Sequence, residues 1–113
     1  VTLAEALAVE LADLAKSRET IGYGALVRRL AIPGPGSIQC LTDALEALME
    51  EDAQAGRPFR AALCEGKLRG GLPAPGFFEA ARRLGRFSAS VDGPEAEAFV
   101  ASERAALFAA QDP

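Results

Sequence analysis

The sequence contains no histidine and no tryptophan, only one methionine and one tyrosine, and two cysteines, Cys40 and Cys64. Without histidine there is no Cys–His or Ser–His nucleophile pair, no imidazole metal ligand and no side chain that ordinarily titrates near neutrality. Two thiols alone fall short of the four nitrogen or sulfur ligands of a structural zinc site. No apolar run approaches the roughly 20 residues that a membrane-spanning helix needs, so no membrane partner is expected. The chain opens at Val1 with neither a basic leader nor a signal-like apolar segment. The expectation is a cytoplasmic protein whose two cysteines are buried free thiols. No cofactor is implied.

What is present points to one domain over residues 1–113, with half of its residues hydrophobic and a quarter charged. The apolar content rests on alanine and leucine, so helices should dominate. Thr2 and Glu5 have the spacing of a capping box, and Leu3, Leu7, Leu11 and Leu14 continue a helix over 3–16. Leu26, Val27 and Leu30 mark a short second helix that Pro33 stops. After the turn Pro33–Gly36, Ser37 is the expected N-cap of a third helix. Its stripe of Ile38, Leu41, Leu45, Leu48 and Met49 is the clearest periodicity in the chain.

Beyond Arg57 the pattern changes. A buried strand is expected around Arg60–Glu65, followed by a Gly/Pro-rich, wing-like loop with a second short strand at Lys67–Arg69. Phe77, Phe78, Ala81 and Leu84 then mark a fourth helix ending at Gly85, and Pro94 opens a fifth that shows Phe99, Val100, Leu107 and Phe108. The expected fold class is mainly α with a small β element (α+β). A winged-helix-like three-helix core (1–56) is followed by a strand and wing (57–76) and two further helices (77–110). A generic helical bundle with a small hairpin is the competing architecture.

Residues Ile21-Gly22-Tyr23-Gly24-Ala25-Leu26 resemble the helix start of several bacterial winged-helix domains, among them the C-terminal domain of the O6-alkylguanine DNA alkyltransferases and alkyltransferase-like proteins. Arg57-Pro58-Phe59-Arg60, followed by Glu65-Gly66-Lys67-Leu68-Arg69-Gly70-Gly71, resembles their Pro-Cys-His-Arg segment and the turn after it. Phe59 stands where that family has its acceptor cysteine, and the histidine is missing, so the resemblance implies no alkyl transfer. Over roughly residues 20–86 the pattern is closer to an uncharacterised family of small bacterial proteins, which brings no activity with it.

Charge is unevenly placed. Residues 37–56 hold five acidic side chains and no basic one, whereas residues 57–86 hold seven basic and two acidic. An acidic third helix is unsuited to reading a DNA groove, where basic and amide side chains are the usual contacts. A phosphate-binding surface would therefore need Arg57, Arg60, Lys67, Arg69, Arg82, Arg83 and Arg86, with Arg28 beside them. The plain alternative is that these residues pair with carboxylates inside the fold or across a dimer. A small anion held at the glycine loop is a third reading, although prolines there remove amide donors. No nucleophile, base and oxyanion donor can be assembled, and Tyr23 reads as a half-buried core residue. The expected function is a non-catalytic binding domain, contacting duplex nucleic acid through the basic loop. Alternatively it is a protein-interaction or homodimer module using helix 37–53 or the final helix.

Overall fold

In the computed structural model, which describes residues 1–111, five α-helices surround a central 3-10 turn. Helix α1 (Leu3–Ser17) begins at the expected capping box: the Glu5 amide donates to Thr2 Oγ1 at 3.1 Å, and the Thr2 amide donates to Glu5 Oε1 at 3.0 Å. The bonds to its carboxylate from the Thr2 amide and then the Thr2 hydroxyl favour the charged form and hold Glu5 below its ordinary pKa. Strand β1 (Ile21–Gly22) leads directly into α2 (Tyr23–Leu30). Helix α3 (Ser37–Ala55) follows, and then the 3-10 turn Arg60–Leu63 and strand β2 (Cys64–Glu65). Helices α4 (Pro75–Arg83) and α5 (Pro94–Ala109) complete the chain, each with a proline in its first turn, where a missing amide costs nothing.

The β element is a two-residue parallel pair, with Ile21 opposite Cys64 and Gly22 opposite Glu65. Parallel strands need a long crossover, and α2 with α3 supplies it. The architecture is mainly α with a small two-stranded β element, matching a winged-helix-like core extended by further helices. Among the described residues no helix is long and apolar enough to cross a membrane.

One hydrophobic cluster joins Leu7 and Leu11 of α1, Leu26 of α2, and Leu41, Leu45, Leu48 and Met49 of α3, all buried. The 3-10 turn packs against α1, α3 and α5, which puts Leu63 at the centre. On the far side five phenylalanines form a ring cluster. Phe77 meets Phe59 and Phe78 edge-on at 6.0 and 5.1 Å, and Phe87 touches both Phe78 and Phe99 at 5.2 Å. Each fully buried leucine or phenylalanine contributes about 1.5–3 kcal/mol, so this cluster anchors α4 and α5 to the leucine core. Leu30, which with Leu26 marks the apolar face of α2, packs against this core only half-buried.

Residues 57–71 depart from expectation. The strand expected at Arg60–Glu65 is extended only at Cys64–Glu65. The Ala62 amide bonds back to the Phe59 carbonyl at 3.1 Å and the Arg60 amide to the Asp52 carboxylate at 3.0 Å, which turns the chain. No strand forms at Lys67–Arg69. Leu68, Gly70 and Gly71 have φ of 57°, 63° and 93°, values that a strand cannot contain. Strand β2 instead pairs with Ile21–Gly22, a strand too short to show in a periodicity. Helix α3 is capped by Gly36 at φ 82°, not by Ser37, which is its first helical residue.

Candidate binding surface

Helix α3 carries its apolar stripe one step further, onto Asp52. That carboxylate lies on the buried face and is completely shielded from water. A buried charge is costly unless it is paired and hydrogen-bonded, and here the segment 57–60 wraps around it. Arg57 Nε donates at 3.1 Å, Arg60 Nε at 3.0 Å and the Arg60 amide at 3.0 Å. Arg86 closes the same corner: it donates to the Arg57 carbonyl at 2.6 Å and the Asp52 carbonyl at 3.1 Å, and pairs with Glu103 at 3.6 Å. Its guanidinium also lies 4.4 Å above the Phe59 ring, a cation–π contact. Glu103 in turn accepts the Phe59 amide at 2.9 Å, tying α5 to the network.

The remaining expected site residues divide into two groups. Arg69 donates to the Pro73 carbonyl at 3.1 Å and the Val91 carbonyl at 2.7 Å, and it pairs with Asp92. It thereby fastens the glycine-rich loop to the segment before α5. Arg82 donates to the Ala89 carbonyl, and Arg83 reaches Glu46 at 3.5 Å and Glu50 at 3.7 Å across α3. Arg28 and Lys67 are different: both are exposed, and neither side chain makes a hydrogen bond or ion pair among the described residues. The eight residues therefore do not form one surface. Six are engaged by the chain's own carboxylates and carbonyls, and two remain.

Those two line one groove of about 670 Å³ between the start of α2 and the loop after β2, with Ile38 and Glu65 on its walls. Tyr23 lies at its inner edge, and the Tyr23 hydroxyl accepts the Ala74 amide at 3.0 Å. Burial, then the neighbouring Cys64, pushes the Tyr23 phenol up to about 12. Tyr23 also lines an apolar cleft of about 40 Å³, room for only a few water molecules.

Sequence reasoning missed Arg104. Its Nε donates to the Ala62 carbonyl at 2.7 Å, and its terminal nitrogen donates to Gly71 at 2.8 Å and Cys64 at 3.4 Å. It clamps the 3-10 turn, β2 and the loop together. Burial depresses its pKa and the nearby Glu65 opposes that shift. Glu65 also accepts the Thr20 hydroxyl. No sequence signal marks Arg104, because its partners are backbone carbonyls. Asp52 did leave one, since it stands three residues after Met49 and four after Leu48, inside the apolar stripe.

Cys64 is fully buried, and burial pushes its thiol up to about 12, opposed by Arg104. Such a thiol stays protonated at neutral pH and is a poor nucleophile. Cys40, expected to be buried, is exposed. At 100° per residue it falls well off the Leu41–Leu45–Leu48 stripe. Phe59, at the position of the alkyltransferases' acceptor cysteine, is a core residue with no exposure.

Comparison of the chain with protein-family models, with curated proteins and with solved structures finds no match.

Proposed function

We propose that this chain is a non-catalytic protein-interaction domain rather than a nucleic-acid-binding one. The observation that carries this reading is the fate of the basic residues: Arg57, Arg60, Arg69, Arg82, Arg83 and Arg86 are occupied within the fold. Duplex affinity grows with the number of phosphates neutralised, each contributing about 0.9 to the slope of log affinity against log salt. The two of the eight expected basic residues that are unengaged among the described residues, on a chain of net charge −4, would give weak binding and a shallow slope. Exposed Leu68 and Ile38 beside them are better suited to a protein surface. A nucleic-acid reading keeps one supporting feature, the adjacency of Arg28 and Lys67, and it is the one to test against. Titrating a random-sequence duplex at low salt should give no saturable binding. Saturable binding that weakens on changing Arg28 and Lys67 to alanine would replace the protein reading with the nucleic-acid one.

A further inference from the structure

Building on the protein-interaction reading, we propose that the groove between α2 and the loop after β2, with Leu68 at its side, docks an acidic segment of a partner protein that bears a large aliphatic side chain. The groove's volume of about 670 Å³ falls within the range that binding clefts occupy. It is lined by Gly22–Ala25 at the start of α2 and by two cationic residues from different elements, Arg28 from α2 and Lys67 from the loop. Arg28 stands one turn after Gly24, and its guanidinium comes within 3.7 Å of where a Cβ on Gly24 would be. The charge therefore lies back along the groove instead of pointing straight into solvent.

The charge around the groove favours carboxylates over a phosphodiester track. Arg28 and Lys67 have no anionic partner among the described residues. Glu65 on the wall is engaged by the Thr20 hydroxyl and lies within the field of Arg104. A long polyanion would have to pass Glu65. A short acidic segment needs only the two cations. Its apolar component follows from Ile38, 49% exposed on the groove wall, and from Leu68, wholly exposed at 101%. Leu68 also holds a left-handed backbone at φ 57°, a conformation that glycine would adopt without strain. Both the strain and the exposure of this aliphatic side chain are unrewarded in the isolated chain, and an apolar contact with a partner would reward the exposure.

The test is fluorescence anisotropy at low ionic strength with the full chain and a labelled peptide of glutamate and leucine residues. The controls are the same peptide with lysine for glutamate and a labelled DNA duplex. The acidic peptide should bind and the lysine peptide should not. Arg28→Ala with Lys67→Ala should weaken binding about tenfold, as two partly shielded ion pairs would. Leu68→Ser and Ile38→Ser should each weaken it severalfold, and Arg83→Ala should leave it unchanged. All these side chains are exposed, and circular dichroism verifies that the variants fold. No binding by wild type, or equal binding by the Arg28/Lys67 variant, overturns the proposal. Duplex binding that the same variant abolishes removes the protein-interaction reading as well. An identified partner protein whose affinity ignores Arg28 and Lys67 leaves that reading standing and removes only the groove.

Discussion

The two cysteines show how far a single residue's environment outweighs its type. Cys64 lies fully buried at the end of the 3-10 turn, whereas Cys40 points away from the α3 stripe into solvent. A thiol reagent at neutral pH should therefore modify one cysteine in the native protein and the second only after unfolding. Rapid labelling of both would mean that Cys64 is not enclosed. The lone tyrosine allows a second test. Tyr23 and Cys64 ordinarily titrate near 10 and 9, and both are raised to about 12 in the fold. Between these limits the native state retains protons that the unfolded chain has released, so stability falls as pH rises. The contribution is fully present below pH 9 and is lost progressively towards pH 12. Ultraviolet absorbance reports Tyr23 alone and should place its titration well above that of free tyrosine in the native state. A native midpoint near 10 would contradict the burial of the hydroxyl, whose upward shift outweighs the opposing bond from the Ala74 amide.

Helices were the legible elements, for a physical reason. Each of the five buries a continuous face, so the apolar spacing that stabilises it is written into the local sequence. The α3 stripe is the clearest case, with Leu41, Leu45, Leu48 and Met49 all buried. Leu45→Ala should cost about 2–5 kcal/mol in denaturant unfolding, the range for a buried leucine that leaves a cavity. A loss below about 0.5 kcal/mol, the scale of neutral surface changes, would mean that α3 packs by another face. The β element and residues 57–71 were not legible, because non-local bonds shape them. Ile21 finds Cys64 across two helices, and Arg60 turns because Asp52 takes its amide. Strain at the loop tip is testable apart from any partner. Leu68→Gly should stabilise the chain or leave it unchanged: relief of about 1–2 kcal/mol of left-handed strain is offset by glycine's greater unfolded-state freedom. A clear destabilisation would show that the Leu68 side chain packs within the fold.

At the scale of the whole molecule, the acidic and basic segments of the sequence fold onto one another. The acidic α3 receives Arg57 and Arg60 at its buried end and Arg83 along its exposed side, while Arg86 and Glu103 link the same corner to α5. Composition alone revealed the asymmetry but not its direction. A segment rich in arginine reads as a phosphate surface until the position of each carboxylate is known, and Asp52 is the residue that decides. Of the eight expected basic residues only Arg28 and Lys67 have side chains without a partner among the described residues, and nothing in their sequence context set them apart from the other six. Equilibrium urea unfolding of the Arg57→Ala/Arg60→Ala double variant tests this account most directly. Because the change strands a fully buried Asp52 carboxylate, stability should fall by about 3–5 kcal/mol, while Arg28→Ala/Lys67→Ala should change it by less than about 0.5 kcal/mol. Equal and small losses in the two variants would contradict it, returning Arg57 and Arg60 to a free basic surface.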